Sequence, residues 1–599
     1  MGTDASAATI DRVQLSVAPR RVVRDSAVGV WAGRITLYTG LLSVLVFGVL
    51  AFQRRWISDD GLIVVRVVQQ ILAGAGPDYN PFERAEAGTS PLWVWLLAGV
   101  AAVWPGEIDT AAVGFGLLLA MAGLAAGLAG CVALHRQRGE KGMLLPVGAL
   151  VPLAVGGFWD YATSGLETGL SLCWLGSVWW SLVSTTEKAG RRHVFGTMAV
   201  IGLGPLIRPD FVLAAMVFGA TALVLTRPGR RRGVQYCAAG LLLPVSYEVF
   251  RAGYYGILVP LPALAKEASN SRWTQGVSYL NDFMGAYLLW IPLLVIAVMS
   301  TRMLDRTVVD RRSAVLMAAP PLVAGSLALY LVRVGGDYMH ARLWIPVLFA
   351  LLLPVLMAPV DRSRRLESIG VALLAAWALL AGLLLEPPYH GKQFGPTGIT
   401  DERTYETVAY NDPNPTAESR RKDSTLMATL ATFTHRPDRT LVMRTRITAD
   451  GLLWTIPMSP TVPDRSGYFY NNMGIAAAIM PLQGTVIDVN GLASPLAAHL
   501  QLEHPGRPGH EKWLPPAWVL AQYADPAVIP HMRDTEDVTK AQVVAAREAL
   551  SCGALAELID SVTQPMTLPR FWSNLTGSLS RTTLRIPRDP FAAKAQFCQ

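Results

Sequence analysis

Residues 35–52, ITLYTGLLSVLVFGVLAF, run for 18 positions without a charge and lead through QRR into residues 56–70, WISDDGLIVVRVVQQ. A helix rises ~1.5 Å per residue, so the first stretch is about long enough to cross a hydrocarbon core of ~30 Å. It predicts a membrane span, and the second stretch predicts what lies at the surface after it. From Gly61 to Ala73 the polar residues are Arg66, Gln69 and Gln70, which share one helical face; the remainder is mainly Leu, Ile and Val. That pattern predicts an amphipathic helix in the membrane interface. Ser58 is placed to cap it, with Asp59 and Asp60 in the first turn, where the helix dipole favours negative charge. Capping explains one aspartate more readily than two. Adjacent carboxylates repel, and near lipid the loss of hydration makes this worse. Keeping both points to a polar task such as proton transfer or cation binding.

Outward from this stretch, the chain has 599 residues, 52% hydrophobic and 16% charged. That is too apolar and too long for one soluble core. Apolar runs recur to about Leu385, whereas 386–599 contains none and is rich in Pro, Asp, Arg and His. The organisation expected is a flexible cytoplasmic tail over 1–30, a polytopic membrane domain over 31–386, and a soluble α+β domain over 387–599. Thr485–Asn490, TVIDVN, reads as a buried strand of that domain. The segment before Ile35 is polar, ends in basic residues and carries no cleavage pattern, so no signal peptide is expected.

The net charge of +8 does not mark a nucleic-acid partner, because the basic residues fall in short loops between apolar runs. These are Arg20, Arg21, Arg24 and Arg34; Lys188, Arg191 and Arg192; Arg227 and Arg230 to Arg232; Arg302, Arg306, Arg311 and Arg312; and Arg362, Arg364 and Arg365. Such loops face the cytoplasm. The N-terminus is then inside, and Asp59, Asp60 and the C-terminal domain are outside. That orientation needs an odd number of crossings. Twelve apolar runs therefore reduce to about 11 transmembrane helices, with 91–104 dipping rather than spanning. Cys131, Cys173 and Cys237 fall in or near apolar runs. Cys552 and Cys598 fall outside, where oxidation is permitted, and a bridge between them is open. There is no GxxxxGK[ST] loop, CxxC pair or GxSxG motif, which leaves ATP-driven and serine-hydrolase readings without support.

Other polar clusters gather at outer ends of spans. Leu203–Pro209, LGPLIRP, followed by Asp210, is either a capped turn or an Arg208 aimed at a phosphate. Phe250–Lys266, FRAGYYGILVPLPALAK, offers Tyr254, Tyr255 and Lys266, as interface anchors or as a site for a lipid-linked phosphate and its sugar. Val334–Pro346, VGGDYMHARLWIP, gathers Asp337, His340 and Arg342 beside two glycines that let a ligand approach the backbone. Glu167 in TSGLETG reads first as a carboxylate at a helix start. In GHEKWLP, His510, Glu511 and Lys512 begin like HExxH, but Leu514 replaces the second ligand, so a zinc protease is not expected. Asn574-Leu-Thr576 matches a glycosylation sequon at chance level.

The ordered set SDDGLIVVRVVQQILAG, YNPFERAEAGTSPLW, SGLETG, RAGYYGILVPLPALAK, GGDYMHARLWIP and GHEKWLP resembles the GT-C glycosyltransferases. Among them it is similar to the actinobacterial arabinofuranosyltransferases of the AftB family, over most of the membrane domain and part of the soluble one. The resemblance implies a plasma-membrane enzyme of GT-C type with an extracytoplasmic active site. The donor implied is decaprenyl-phosphoryl-β-D-arabinofuranose, the acceptor the non-reducing end of arabinan in arabinogalactan or lipoarabinomannan, and the product a terminal β-(1→2) linkage. Asp59 and Asp60 become the catalytic carboxylates. Arg208, Tyr254, Tyr255, Lys266, His340 and Arg342 become the donor phosphate and sugar site. Glu167, Asp210, Asp337, His510, Glu511 and Lys512 become acceptor or pocket residues. No cofactor is fixed by these residues; a divalent cation stays open with no ligand set defined. The partners expected are the lipid donor, the arabinan acceptor and membrane lipids, with the chain as a monomer. A polyprenyl-phosphomannose mannosyltransferase would share the fold. A lipid-linked sugar transporter would need mid-span charges and an internal repeat, neither of which the sequence shows. A wall-binding scaffold leaves the polar clusters unexplained.

Overall fold

The computed structural model describes residues 20–81, 83–185, 190–267, 269–304, 310–360, 365–391, 393–422, 439–444, 453–462, 466–470, 472–504 and 506–599. Residues 1–19 of the expected tail, with Lys188, Arg306, Arg362 and Arg364, lie outside the described residues.

The chain runs α1 (Arg20–Gln53), α2 (Asp59–Leu72), α3 (Pro91–Ala101), α4 (Ile108–Gln137), α5 (Leu150–Ala154), α6 (Gly156–Tyr161) and α7 (Thr168–Ser184). It continues through α8 (Arg191–Ile201), α9 (Gly204–Ile207), α10 (Phe211–Thr226), α11 (Arg230–Tyr254) and α12 (Leu261–Ala265). Then come α13 (Trp273–Ala286), α14 (Trp290–Leu304), α15 (Arg311–Val334), α16 (Trp344–Leu352) and α17 (Arg365–Leu384). Among the described residues four helices are long and apolar enough to cross a membrane: α1 from Trp31, α4, α15 and α17. A fifth crossing arises if α13 and α14, bent by 81° at their junction, count as one span. The other apolar segments are shorter or broken, as at Val155 between α5 and α6. The 11-residue α3 rises only ~16 Å. It starts after Ser90 and ends before the start of α4, where Asp109 accepts the Ala417 amide at 3.1 Å; both its ends lie on the side of the C-terminal domain.

The tightest helix pair is α4 with α7, and its seam is made of glycine. A Cβ on Gly169 would lie 2.1 Å from the Gly116 carbonyl oxygen, and one on Gly176 would lie 2.2 Å from that of Gly123. With lipid outside there is no hydrophobic gain from helix contact, so backbones approach through small residues and pack directly. At one end of the bundle β1 (Leu144–Leu145) pairs with β2 (Ala358–Pro359), and the basic loops collect there, with Arg191, Arg227, Arg232, Arg311 and Arg312 around one cavity. At the other end lie Asp59, Asp60, Glu167, Arg208 and Arg342 with the C-terminal part of the chain.

That C-terminal part is α+β. A sheet ordered β4-β3-β5-β6 combines β3 (Thr440–Arg444), antiparallel to β4 (Leu453–Pro457), with β5 (Ser466–Tyr470) and β6 (Thr485–Asp488), which run parallel to it. The strand expected at TVIDVN is β6, buried at all four positions. Its core is built on Leu441, Ile487, Trp518 and Val543. Cys552 and Cys598 are bonded, while Cys131, Cys173 and Cys237 are free.

One expectation about α2 is corrected. Its polar face does not lie among lipid headgroups. Arg66 is 1% exposed and donates to the carbonyls of Tyr79 at 3.0 Å and Gly484 at 2.6 Å. Gln70 donates to Leu482 O at 2.9 Å. Asn80 exchanges two hydrogen bonds with Val486, at 2.9 and 3.0 Å. The stripe marks a helix held between bundle and C-terminal domain, because a polar face satisfied by backbone carbonyls has the same period as one satisfied by water.

Candidate active site

Three anchors fix the start of α2. Arg54 donates to both oxygens of Asp160, at 2.7 and 3.0 Å, and Trp56 Nε1 donates to the Asp160 carbonyl at 2.8 Å. Ser58 caps the helix through the Gly61 amide at 2.9 Å and itself donates to Ser164 O at 3.0 Å. Successive residues of a helix point ~100° apart, so the two aspartates diverge. Asp59 turns to the C-terminal domain and accepts the amides of Ile475 at 2.7 Å and Gly474 at 3.2 Å. Burial, then the Glu406 and Asp60 carboxylates, push its carboxyl up to about 7. Asp60 turns the other way and accepts from Arg342 at 3.1 Å.

Arg342 is the hub. It also donates to Asp337 at 3.3 Å and lies 3.8 Å from Glu167. Asp337 in turn faces Lys266 at 3.5 Å. Burial alone would raise the Asp337 carboxyl, but Lys266 and Arg342 hold it below the usual range. Glu167 accepts from Arg208 at 3.4 Å, and Arg208 grips Asp210 through two bonds of 3.0 and 3.1 Å. The reading of Glu167 as a helix-start carboxylate is therefore incomplete: it sits at the N-cap of α7, accepts no capping bond, and pairs with two arginines.

This web walls a cavity of about 70 Å³ that Asp60, Glu167, Lys266, Tyr338, Arg342 and His510 border. On one side Ile63, Val64 and Val94 continue its wall into an apolar groove between α2 and α3, which Val67, Trp95 and Tyr255 line. On the other side Lys266 and Arg342 also border a second chamber containing Arg208, Asp210 and Arg272. The arrangement places one half-buried carboxylate, Asp60, fixed cations and an apolar groove together, which suits an amphiphile with an anionic head.

Several residues predicted from sequence lie elsewhere. Tyr254 donates to Asp78 at 2.7 Å and Tyr255 to Pro77 O at 2.8 Å, so both hold the 73–90 loop; Tyr255 reaches the apolar groove but neither borders the Asp60 cavity. His340 turns to Asp282, at 2.5 Å, and Asp282 also accepts from Tyr389. Glu511 pairs with Arg272, and Lys512 spends its ammonium on Glu267, Ala498 O and Leu264 O, so both latch the C-terminal domain to the α12 segment. His510 alone of that motif faces the cavity; burial, then Arg507, lower its imidazole to about 3, which keeps it neutral. Among the described residues no three His, Cys, Asp or Glu side chains are grouped to hold a metal ion.

Sequence reasoning missed Glu402. It accepts the Asp59 amide at 3.2 Å and the Tyr338 hydroxyl at 3.5 Å. Burial, then Asp60, Glu406 and Asp59, push its carboxyl well above the usual range. Glu402 and Glu406 are spaced i, i+4 on an otherwise polar helix, a pattern that normally marks a solvated face.

Residues 417–596 match the model of the AftB family C-terminal domain. The chain is 36% identical to the terminal β-(1→2)-arabinofuranosyltransferase of Mycobacterium tuberculosis over 615 aligned positions, covering 93% of this chain and 96% of the relative. It is 33% identical to the protein of the same name from Corynebacterium glutamicum, covering 96% and 90%. No solved structure matches.

Proposed function

The chain belongs to the terminal β-(1→2)-arabinofuranosyltransferase family, AftB, and on that premise we propose that it is itself a membrane pentosyltransferase. The donor is decaprenyl-phosphoryl-β-D-arabinofuranose and the acceptor the non-reducing end of a cell-wall arabinan. The observation that carries this reading is the continuity between the charged Asp60–Arg342 cavity and the apolar α2–α3 groove. A prenyl chain would enter along the groove. The phosphate then lies by Lys266 and Arg342, and Asp60 is left at the sugar. Arg208 fixes Glu167 and Asp210 on the far wall.

A β donor giving a β product retains configuration. With Asp60 as nucleophile, its carboxylate forms a bond to C1 as the C1–O bond to phosphate breaks and decaprenyl phosphate leaves with the electron pair. The acceptor 2-hydroxyl then attacks C1, the ester bond breaks back to the carboxylate, and the hydroxyl proton passes to a base. Glu167, the second carboxylate on the cavity wall, is suited to that role. Two inversions give retention. Asp59 and Glu402 position the first turn of α2, which presents Asp60.

The same reading takes residues 31–386 as the catalytic membrane domain and 387–599 as an extracytoplasmic domain, with the chain a monomer. About eleven crossings follow if the broken pairs α5–α6 and α8–α9 and the short α16 each cross once and α3 does not. The gathering of basic loops at one end and the paired site at the other supports this orientation.

The test is transfer of radiolabelled arabinose from the synthetic lipid donor to a short α-(1→5) arabinan by the purified chain. A product that appears only with a phosphomannose donor would keep the fold and replace the sugar. No product with either donor would remove the transferase reading.

A further inference from the structure

At the end of the bundle opposite the active site lies a larger cavity, about 560 Å³, that nothing in the reaction uses. Among the described residues its wall carries five arginines, Arg191, Arg227, Arg232, Arg311 and Arg312, and a single carboxylate, Asp310. Asp310 is turned to its own helix, where it caps α15 through the Ser313 amide at 3.0 Å. Arg191 is occupied by Gln235 at 2.7 Å, and Arg312 by Gln137 and the carbonyls of Val183 and Thr185. Arg227, Arg232 and Arg311 have no carboxylate or carbonyl partner among the described residues. The contrast with the active-site end is sharp. There Arg54, Arg208, Arg251, Arg272 and Arg342 each face a carboxylate.

A second observation points the same way. Tyr236 stands on the cavity wall with its ring buried, and its hydroxyl has no partner among the described residues. That hydroxyl is free to donate to a ligand oxygen in the cavity. The remaining wall is apolar, with Val194, Val224 and Val315 beside the guanidiniums, and Val224 opens onto the outer face of α10 at 43% exposure. Guanidiniums recognise phosphate through paired N–H donors, and a valine-lined exit suits an acyl chain more than a free polyanion.

We propose that this cavity binds the phosphate headgroup of an anionic phospholipid, with Arg227, Arg232, Arg311 and Tyr236 as its contacts. The assignment to the inner leaflet rests on the orientation given above; the site itself does not. It joins α8, α10, α11 and α15, so an occupant would bridge the ends of four helices.

The experiment is native mass spectrometry of the full-length chain in neutral detergent, after delipidation, with phosphatidylglycerol, phosphatidylcholine or inorganic phosphate added. Wild type should retain phosphatidylglycerol at least tenfold more than phosphatidylcholine. Arg227→Gln/Arg232→Gln/Arg311→Gln should lose that preference, and Tyr236→Phe, which keeps the ring and its packing, should weaken it severalfold. Equal retention of the two lipids, or an unchanged preference in both variants, would overturn the proposal. So would binding of inorganic phosphate as tight as that of phosphatidylglycerol, which would make the ligand a soluble anion. The readout needs no sugar transfer, so failure of the proposed reaction and failure of this site are separate results.

Discussion

Asp60 and Arg342, 282 residues apart in sequence, meet at 3.1 Å and close the active-site cavity. The pair joins the first turn of α2 to the loop before α16. The same guanidinium holds Asp337 at 3.3 Å and approaches Glu167 at 3.8 Å, so one cation organises three carboxylates from three segments.

Removing that cation leaves the buried Asp337 and Glu167 short of compensation, a situation that costs about 3–5 kcal/mol for buried pairs. Arg342→Ala is expected to lower the thermal midpoint clearly and to abolish measurable transfer. Arg342→Lys keeps the charge but not the fork that reaches several acceptors, and should fold while losing about 10–100-fold in transfer. Donor turnover and thermal unfolding, measured on the same preparations, check both. Full activity in Arg342→Lys would show that charge alone suffices.

The divergence of the two aspartates makes them separable. Asp60→Asn, facing the cavity, should reduce transfer by at least about 100-fold with little change in thermal midpoint, as loss of a reacting carboxylate does. Asp59→Asn, facing the amides of Gly474 and Ile475, should retain at least tenfold more activity than Asp60→Asn. A donor carrying fluorine at C2, which slows both steps, should leave a pentosyl adduct on the peptide containing Asp60. Equal loss in the two variants, with no adduct, would reject the assignment of nucleophile.

Stability should depend on pH with a definite sign. Asp59 and Asp78 are each pushed up to about 7, burial being the first cause for both. Between their ordinary value and 7 the folded state holds protons that the unfolded chain has released, so stability falls as pH rises through that window. Asp337 and Glu267 are held low, and their contribution is lost only on acidification below the usual carboxylate range. Below about pH 6.5 the neutral buried imidazoles of His510 and His499 work in the opposite sense, so the thermal midpoint is expected to fall from about pH 6.5 to about pH 7.5, at ~2–4 °C per kcal/mol. Asp59→Asn should flatten the curve. A midpoint that rises over this range would contradict the buried, protonated state of these groups.

Denatured, unreduced protein should titrate three thiols, Cys131, Cys173 and Cys237, and five after reduction. The bridge spans a separation of 46 residues, and a loop of that size contributes about 4 kcal/mol on the loop-entropy account. Cys552→Ser/Cys598→Ser should thus unfold the C-terminal domain at lower temperature.

Gly169→Val tests the bundle seam. The added Cβ would meet the Gly116 carbonyl oxygen at 2.1 Å, so α4 and α7 must separate. Loss of folded protein from the membrane fraction is expected. Normal yield would mean that the seam tolerates backbone displacement.

The fold class was legible because it rests on local properties. Apolar runs, basic loops and a polar C-terminal third are read residue by residue. The site was legible only in part. Asp60, Glu167, Lys266 and Arg342 were singled out because charge beside an apolar run is conspicuous, and His510 because GHEKWLP begins like HExxH; the five do line one cavity. Which way each side chain points was not encoded locally. Asp59 and Asp60 are identical neighbours, yet a turn of ~100° gives one to backbone amides and the other to the cavity. Arg66 and Gln70 have the pattern of a solvated face, but the C-terminal domain covers them. Glu402, His340 and Lys512 owe their roles to partners tens to hundreds of residues away, Asp59, Asp282 and Glu267. By itself the sequence determined that this chain enters a membrane and carries acids and cations at one end. Only the tertiary structure decided which of them share a cavity, because burial and pairing across distant segments set both orientation and charge state.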